Sequence, residues 1–237
     1  MAGMVLDFEA RQVVVTGGTG ALGSAVVSEL LQRGASCHIP VHESVAPESF
    51  AYGGHERVKL YPGIELSDQA QVGAFYGKVG ALWASIHIAG GFAAKPLAQT
   101  SKTDLMGQLD TNLVSCFLCC RAALHAMGPD GGRIVNVAAR PALEPRQGAG
   151  MTAYTIAKSG VAALTVALAE EVAADGVLVN AVAPSIMDTP ANRKAMPKAD
   201  FALWPKVEEV AATILFLSSP SNAVTRGAIV TVYGRSK

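Results

Sequence analysis

The stretch that decides the fold is VVVTGGTGALGSAVVSELLQRGA, residues Val13–Ala35. It begins with a short apolar run, continues through Gly17, Gly18 and Gly20, and then takes up the 3.6-residue spacing of a helix, with Gly23 one turn further on. A turn between a strand and a helix needs one or two glycines for its own backbone conformation. Four glycines therefore predict that something else comes close to the backbone here.

Gly18-x-Gly20-x-x-Gly23 has the G-x-G-x-x-G spacing of dinucleotide-binding turns, with a strand before it and a helix after it. Such glycines let the backbone approach a pyrophosphate, which binds the N–H groups at the helix N-terminus. The motif alone is a weak signal, and a purely structural turn is the alternative, but both flanks favour a dinucleotide. The residues predicted to bind it are Thr16, Gly17, Gly18, Thr19, Gly20, Ala21 and Leu22.

The choice between the two nicotinamide dinucleotides depends on the end of the second predicted strand. In NAD-binding folds an acid about 20 residues beyond the turn accepts a hydrogen bond from the ribose 2′-hydroxyl. Val41 stands where that acid is expected, and the candidates to face a 2′-phosphate are His42 and the more distant Arg33, although Glu43 opposes an anion. The sequence therefore slightly favours NADP over NAD, with Val41 and His42 as neighbours of the ribose.

Apolar runs of strand length alternate along the chain with longer segments of helical spacing. The runs are apolar on both faces, which is typical of a parallel sheet covered by helices on both sides. The predicted strands are Gln12–Thr16, Ser36–Val41, Arg57–Tyr61, Trp83–Ala89, Arg133–Ala138, Val177–Val182 and Ala228–Val232. The predicted helices are Ala21–Arg33, Asp68–Val79, Thr103–Met127, Met151–Ala174 and Lys206–Leu217.

This alternation predicts an α/β fold: a doubly wound parallel sheet of the Rossmann type, with about seven strands and helices on both faces. No repeat, low-complexity tract or linker divides residues 1–237, so we expect a single NAD(P)-binding domain. The longest segment without clear periodicity is residues 184–205. Because such segments are usually functional lids or disordered stretches, we predict a substrate-binding lid there.

Composition excludes several classes of function. The formal net charge is zero and only 16% of residues are charged, so neither nucleic acid nor an acidic membrane surface is an expected partner. We find no apolar run of the about 18–20 residues that a membrane span needs, and residues 1–11 carry acids where a signal peptide needs bases. We therefore expect a cytoplasmic protein that acts on a small molecule.

The four cysteines are Cys37, Cys116, Cys119 and Cys120, three of them in one helical segment. This distribution is no disulfide framework and is consistent with a reducing compartment. Cys116 and Cys119 have the spacing of a pair of metal ligands, but no second Cys or His pair matches them. We therefore predict buried thiols and no metal.

Tyr154 and Lys158 lie four residues apart in a segment that reads as one helix, so their side chains share a face. An adjacent ammonium group favours the phenolate and lowers the pKa of a tyrosine towards neutrality. Such a tyrosine acts as a general acid for a carbonyl oxygen that receives a hydride. The alternative is an amphipathic tyrosine beside a surface lysine, and the glycine turn upstream favours the catalytic interpretation.

With these motifs the chain resembles the short-chain dehydrogenase/reductase family over essentially its whole length. The resembling pieces, in chain order, are Thr16-Gly17-x-x-Gly20-x-x-Gly23, Glu65-Leu66-Ser67-Asp68, Ile88-Ala89-Gly90-Gly91, Asn112, Gly132-Arg133-Ile134-Val135-Asn136, Tyr154-x-x-x-Lys158, and Asn180-Ala181-Val182-Ala183-Pro184 leading to Thr189-Pro190.

The resemblance implies a role for each matching position. Asn112 is implied to hold a water of a proton relay through Lys158, which also binds the nicotinamide ribose. Other implied cofactor contacts are Glu65 and Leu66 at the adenine, Ala89, Gly90 and Gly91 along the cofactor, and Pro184, Met187 and Thr189 at the nicotinamide amide and phosphate. Relatives dimerise through the helices of Asn112 and Tyr154, which implies a homodimer or homotetramer built on Val114, Cys116, Phe117, Cys120, Ala163, Val166 and Ala167.

The family pattern breaks at the end of the fifth strand. A serine that hydrogen-bonds the substrate oxygen is expected about thirteen residues before the tyrosine, but the position holds Ala139, and no Ser or Thr occurs from Val137 to Met151. Three explanations stay open: a substrate that needs less activation, a substitute donor from Arg140, Arg146 or Gln147, or cofactor binding without efficient chemistry. The usual Asn before Ala89 is also missing, and His87 stands nearby as a packed strand residue.

Within the family, the quinonoid dihydropteridine reductases resemble this chain in the segment Asp188–Trp204, which makes Trp204 a candidate substrate residue, and they also have an alanine at the serine position. The sequence therefore predicts an NAD(P)H-dependent reductase of a small ketone or quinonoid substrate, with Tyr154 as the proton donor. The alternatives are a 3-oxoacyl-type carbonyl reductase and a nucleotide-sensing or scaffolding protein that has lost the chemistry.

Overall fold

A single sheet of seven parallel strands runs through the chain in the spatial order β3-β2-β1-β4-β5-β6-β7. This computed structural model describes residues 8–45 and 47–236. The strands are β1 (Gln12–Thr16), β2 (Ser36–Pro40), β3 (Val58–Tyr61), β4 (Leu82–His87), β5 (Gly132–Val137), β6 (Val177–Pro184) and β7 (Ile229–Val232).

Helices cover both faces of this sheet. They are α1 (Ala21–Gln32), α2 (Gln69–Tyr76), α3 (Lys102–Leu109), α4 (Ser115–Ala126), α5 (Arg140–Leu143), α6 (Thr152–Glu171), α7 (Pro190–Ala195) and α8 (Val207–Ser218). Helices α1 and α8 pack together on one face, and α2, α4 and α6 lie on the other. Two buried clusters of apolar side chains separate the sheet from these two layers.

The doubly wound fold is confirmed, and every predicted strand is present, because a strand buried on both faces is marked by an uninterrupted apolar run. The bounds of β1 agree with the prediction, and those of the other strands differ from it by one or two residues. The predicted helix Thr103–Met127 is interrupted by a π-helical segment at Asp110–Val114. The short helices α5 and α7 were not predicted, since four and six residues carry too little periodicity to be recognised.

The sequence expectation on membrane spans needs a correction at α6. This helix of 20 residues is long and apolar enough, by length and composition alone, to cross a membrane. Core helices of globular proteins pass the same test, and α6 packs against α3, α5 and β6 in this fold.

Strand β1 lies between β2 and β4, so the chain changes direction across the sheet at this point. In open parallel sheets such a switch point leaves a crevice at the carboxyl ends of the strands, and ligands bind there. The glycine turn follows β1 at this crevice, and residues 88–91 follow β4 beside it. The topology therefore brings the loop after β1 and the loop after β4 together.

Candidate active site

The glycine turn is shaped by close backbone contacts. Gly17 has a φ of +67°, and a Cβ atom placed on it would lie 2.8 Å from the backbone nitrogen of Ala89. A Cβ on Gly23 would collide with the backbone of Gly17 and Gly18. The threonine before the turn, Thr16, accepts a hydrogen bond of 3.1 Å at its Oγ1 from the Ala89 nitrogen. The turn and the loop after β4 are therefore locked to each other, and side chains are excluded from between them.

The N-terminus of α1 offers free hydrogen-bond donors to an anion. Gly20 is the N-cap and provides no side chain to bond the first N–H groups, and the first turn contains no acidic residue. The helix dipole and these N–H groups together favour a phosphate at this position. Gly20 and Ala21 are exposed, whereas Leu22 is buried against the core. The chain thus has the residues that a dinucleotide pyrophosphate needs.

The expected ribose neighbours lie just beyond β2. Val41 is buried, and its backbone bonds Tyr61 and Ile64, so it offers no polar group to a ribose. His42 is exposed, with its Nδ1 atom 3.4 Å from the Glu65 carboxylate. Two hydrogen bonds from Ser67 lower the pKa of Glu65.

Two further residues expected near the adenine end of a dinucleotide differ in placement. Leu66 packs against the core cluster beneath α2 and α4. Arg33 is the C-cap at the far end of α1, thirteen residues beyond Gly20, where it pairs with Glu29. The prediction that Arg33 faces a 2′-phosphate is therefore wrong, because α1 carries this residue to the end of the sheet opposite the crevice.

Lys158 and Asn112 converge on the loop after β4. A Cβ atom on Gly90 would lie 2.7 Å from the Asn112 Oδ1 atom and 3.4 Å from the Lys158 Nζ atom. Both polar side chains are buried, and Lys158 Nζ donates a hydrogen bond of 2.8 Å to the Val137 carbonyl oxygen. The side chains of Asn112 and Lys158, two predicted catalytic residues, therefore both approach Gly90 in the loop after β4.

The π-helical segment between α3 and α4 presents Asn112 to this loop. Its amide nitrogen donates to the carbonyl oxygens of Gly91 (2.9 Å) and Gln108 (3.1 Å), and its Oδ1 accepts from the Gly91 nitrogen (3.2 Å). Single π turns inside helices are frequent at functional sites. The side chain of Asn112 thus fixes the conformation of Gly91, and its part in a proton relay stays a prediction.

Tyr154 lies one turn before Lys158 on α6, and its ring is in edge contact with Phe92 (centroids 5.0 Å apart, rings at 85°). Phe92 is 62% exposed. Sequence reasoning missed this residue, although its place directly after Gly91, in the loop that the resemblance assigns to the cofactor, is a usable signal. It forms an apolar wall beside the predicted proton donor.

Burial sets the pKa values of the two residues on α6. It raises the pKa of Tyr154 to about 12, and it lowers the pKa of Lys158 to about 8. The sequence predicts that Lys158 lowers the pKa of Tyr154, but loss of solvent around the phenol raises it instead. At neutral pH the phenol holds its proton and is ready to donate it.

Comparison with known proteins agrees with this geometry. Residues 11–200 match the family described as short chain dehydrogenase. The chain belongs to the short-chain dehydrogenase family. It is an oxidoreductase of a family that binds NAD(P).

Two curated relatives cover nearly the whole chain. It is 33% identical to a cis-4-hydroxycyclohexanecarboxylate dehydrogenase of Sinomonas cyclohexanicum, over 96% of each protein. It is 32% identical to a galactitol 2-dehydrogenase of Rhizobium johnstonii, over 94% of each. Among solved structures, a Brucella melitensis short-chain dehydrogenase/reductase superposes with a TM-score of 0.88 at 27% identity, covering 98% of both chains. The likeness to dihydropteridine reductases stays a prediction.

Ala139 occupies the family's serine position as the buried N-cap of α5. Of the proposed substitute donors, Arg140 pairs with Glu144 (2.8 Å) and its guanidinium lies 4.8 Å from the ring centroid of Tyr233. Arg146 lies exposed on the following 3-10 turn. The structure thus holds Arg140 in an ion pair and places Arg146 in solvent, and any contact of either with substrate stays a prediction.

The predicted lid contains more structure than its sequence suggests. Pro184 still belongs to β6, and Thr189 caps α7 by accepting a hydrogen bond from the Asn192 nitrogen. The Met187 carbonyl oxygen accepts from the side chain of Asn192. Trp204 is buried against Phe201. The side chain of Trp204 therefore belongs to the packing inside the segment and reaches a substrate only if the segment moves.

The surfaces expected to form a dimer are only partly exposed. Phe117 and Val166 are about half exposed, as a contact surface requires. Cys116 and Cys120 are instead buried in the core, because the interior face of α4 carries them towards β4 and β5. Assigning these two cysteines to the interface was wrong, and the homodimer or homotetramer stays a prediction.

Proposed function

We propose that this protein is an NAD(P)H-dependent reductase of a small ketone or quinonoid carbonyl compound, with Tyr154 as the proton donor. The observation that carries the proposal is the convergence of Asn112 and Lys158 on Gly90, with the half-buried phenol of Tyr154 one helical turn from Lys158. A protonated acid, a buried cation and a backbone cradle in one crevice suit transfer of a hydride and a proton to a C=O group.

The dinucleotide binds along the carboxyl edge of the sheet in this proposal. The backbone N–H groups between Gly18 and Leu22 would hold its pyrophosphate, and Ala89 and Gly90 would line the path to its nicotinamide. Lys158 holds the nicotinamide ribose, and Met187 and Thr189 meet the amide. When bound, the reduced nicotinamide supplies the hydride.

The protein's own residues handle the proton and the charge. The Tyr154 hydroxyl donates a hydrogen bond to the substrate oxygen and then gives it the proton as the alcohol forms. The Lys158 ammonium stabilises the phenolate that remains, which is a far stronger interaction in a buried site than in water. Asn112 keeps Gly90 and Gly91 in place and anchors the water that returns a proton to Tyr154.

NADP is the preferred cofactor in this proposal. The buried side chain of Val41 gives no acceptor to a ribose 2′-hydroxyl, whereas His42 is exposed and free to turn towards a 2′-phosphate. Glu65 beside His42 weakens that attraction. We therefore expect NADPH to be favoured over NADH by less than about tenfold, and His42→Ala to remove the preference.

The substrate proposal rests on the apolar mouth of the crevice and on Ala139. Phe92, Ile186 and Leu203 are exposed apolar side chains on the loops that surround the crevice. The names of relatives, which include the hydroxycyclohexanecarboxylate and galactitol dehydrogenases, describe secondary alcohols and thus ketones as their oxidised forms. Without a serine hydroxyl, a carbonyl already activated towards hydride, such as a quinonoid ring, is reduced most readily.

The test is oxidation of NADPH and NADH with cyclic ketones, a 3-oxoacyl thioester and a quinonoid dihydropterin. We expect turnover on a cyclic or quinonoid substrate and a loss of about 10²–10⁴-fold in Tyr154→Phe. Tyr52→Phe, at a ring that packs on Phe50, is the matched control and is expected to retain full activity. Unchanged turnover in Tyr154→Phe removes the proton-donor assignment.

Ala139 also favours a second candidate function, a nucleotide-responsive binding protein with little chemistry. Loss of one donor to the substrate oxygen costs about 10²–10³ in turnover, enough to leave a binding protein. Tight NADPH binding without turnover on any member of the panel would support this second function. The intact Tyr154, Lys158 and Asn112 favour the reductase.

A further inference from the structure

A buried cluster of polar side chains lies behind the candidate active site and has no part in the proposed reaction. It consists of His87 at the end of β4, Asn136 in β5, and Cys116 and Cys120 on the inner face of α4. Each of the four is at most 5% exposed. The ligand atoms of His87, Cys116 and Cys120 lie within 4.8 Å of one another.

The four polar atoms are spaced like the corners of a tetrahedron. The Nδ1 atom of His87 is 4.0 Å from Cys116 Sγ and 3.5 Å from Cys120 Sγ. The Oδ1 atom of Asn136 is 3.3 Å from Cys116 Sγ and 3.5 Å from Cys120 Sγ. The nitrogen and the oxygen are 2.8 Å apart.

These separations are close to those of a zinc site. With bonds of about 2.3 Å to sulfur and about 2.0–2.2 Å to nitrogen and oxygen, neighbouring ligands of a tetrahedral ion lie about 3.4–3.8 Å apart. The four Sγ separations from His87 and Asn136 fall close to that range, and the two Sγ atoms lie within 4.8 Å of each other. The nitrogen and the oxygen need to move apart by about 0.6 Å. Side-chain rotations of a few degrees suffice for such a change.

Residues behind the cluster hold its ligand atoms in orientation. The Nε2 atom of His87 lies 2.8 Å from Ser85 Oγ and 3.4 Å from the Tyr76 hydroxyl. A hydroxyl both donates and accepts, so Ser85 accommodates either tautomer of the imidazole. The Asn136 amide nitrogen donates to Thr165 Oγ1 (2.9 Å), which directs its oxygen at the cluster. Metal-binding histidines regularly have such an outer partner on their second nitrogen.

The hydrogen bonds of this cluster crowd onto one acceptor. Three donors, the His87 N–H and the thiols of Cys116 and Cys120, point at the single oxygen of Asn136, which has two lone pairs. With a cation at the centre, the two sulfur atoms and the imidazole nitrogen no longer carry hydrogens that compete for this oxygen. These three atoms and the Asn136 oxygen become the four ligands of the ion. Two thiolates, an imidazole and an amide oxygen suit a borderline-soft, tetrahedral ion.

We propose that His87, Cys116, Cys120 and Asn136 form a binding site for one Zn²⁺ ion. On binding, each cysteine loses its thiol proton to solvent and coordinates as a thiolate, and His87 coordinates through Nδ1 while its proton resides on Nε2. Two protons are released per ion, and the site with its ion has no net charge. The ion ties α4 to β4 and β5 and so stiffens the helix that begins three residues after Asn112. The prediction of no metal rests on the Cys116–Cys119 pair, whereas this proposal rests on Cys116, Cys120 and His87.

The experiment uses the full chain without an affinity tag that binds metals. The protein is expressed with and without added zinc, and its zinc content is measured after exhaustive dialysis. Because the site is buried, Co²⁺ is introduced by refolding in its presence. We expect one ion per chain, the visible bands of tetrahedral Co²⁺, a thiolate-to-cobalt charge-transfer band, and a higher Tm with zinc than without.

Three variants test the ligands: Cys116→Ser, Cys120→Ser and His87→Asn. Each is expected to lose at least tenfold in zinc affinity and to lose or weaken the cobalt spectrum. Cys37→Ser is the matched control, because Cys37 is equally buried but lies in β2, apart from the cluster. It is expected to retain one ion per chain.

Wild-type protein that holds less than about one tenth of an ion per chain after refolding with metal overturns the proposal. So does a cobalt spectrum without thiolate charge transfer, which needs no variant to be folded. Retention of one zinc by Cys120→Ser together with His87→Asn has the same consequence. These readouts do not depend on turnover, so the proposed reductase activity stands or falls separately.

Discussion

The Nζ atom of Lys158 donates a hydrogen bond of 2.8 Å to the carbonyl oxygen of Val137, the last residue of β5. This bond fixes the lysine to the strand end that leads directly into Ala138 and Ala139. Although the lysine side chain is flexible, this hydrogen bond to the sheet therefore fixes the position of the ammonium group. The same burial that makes its position rigid lowers its pKa to about 8.

The first prediction concerns the pH dependence of reduction. Since the ammonium form of Lys158 is needed, kcat/KM for carbonyl reduction should be level below about pH 7 and fall as the pH rises through the pKa of about 8. The pKa of Tyr154 is about 12, so the phenol stays protonated throughout and adds no second inflection. Rates between pH 6 and about 10 measure the effect.

Lys158→Arg is the control for this assignment. A guanidinium stays charged over the whole range, so whatever activity remains should show no inflection near pH 8. An inflection that persists in Lys158→Arg would assign it to another group.

The second prediction is that Gly90→Ala damages the site without damaging the fold. The new Cβ atom would lie 2.7 Å from Asn112 Oδ1, so that side chain must move, and it would touch Lys158 Nζ at 3.4 Å. We expect a loss of about 10–100-fold in kcat/KM, since displacements of about 1 Å in an active site have effects of this size. Gly107→Ala, in α3 with open space around it, is the control and should leave activity unchanged. Equal activity of the two variants would contradict the placement of Asn112 and Lys158.

The third prediction distinguishes a loss of cofactor binding at the glycine turn from the loss of stability that backbone strain causes at any glycine with a positive φ. Gly17→Ala forces a side chain into a φ of +67° and puts its Cβ 2.8 Å from the Ala89 nitrogen. NADPH binding, followed by nicotinamide fluorescence, should weaken at least tenfold. Gly80→Ala imposes a similar φ of +81° with nothing within 4 Å, so it should cost about 1–2 kcal/mol of stability and leave binding unchanged. Equal binding by both variants would remove the phosphate from this turn.

Much of this arrangement was predictable from sequence, for reasons that particular residues make plain. Strands such as β1 and β5 are buried on both faces, so their apolar runs mark them. The glycines of the turn lie close together in the sequence, so their spacing alone indicates a place where side chains would clash. Tyr154 and Lys158 share one helix, so their separation fixes their common face.

Other features depend on contacts between distant segments and leave no local pattern. The π turn at Asp110–Val114 accompanies the bonds between Asn112 and Gly91, twenty-one residues apart. The raised pKa of Tyr154 comes from burial, which spacing does not report. The His87 cluster joins two strands and a helix that only the sheet order brings together.

The fourth prediction concerns Phe92, which packs edge-on against Tyr154 and is largely exposed. Phe92→Ala removes an apolar wall of the mouth. We expect KM for cyclic ketones to rise about tenfold, from a loss of about 1.4 kcal/mol of contact, while Tm stays within the range of ordinary surface changes. Val224→Ala, at an exposed apolar residue elsewhere, should change neither value. A KM that is unaltered in Phe92→Ala would exclude this ring from the substrate site.

The fifth prediction is that Ala139 determines which carbonyl compounds are reduced. Ala139→Ser adds a hydroxyl at a buried position next to the strand end that holds Lys158. A donor at the substrate oxygen should raise kcat for unactivated ketones by about 10²–10³, whereas quinonoid substrates, which need less polarisation, should gain less than about threefold. Rates for both substrate classes in the same preparation measure the ratio.

Ala142→Ser, on the half-buried face of α5 one turn away, is the control for adding a hydroxyl to this helix. Ala142→Ser should leave both rates unchanged, because position 142 lies about one helical turn from position 139, where the serine of the family contacts the substrate oxygen. Ketone rates that stay constant in Ala139→Ser would mean that the substrate oxygen lies elsewhere, and the search for its donor would move to Arg140 and Arg146.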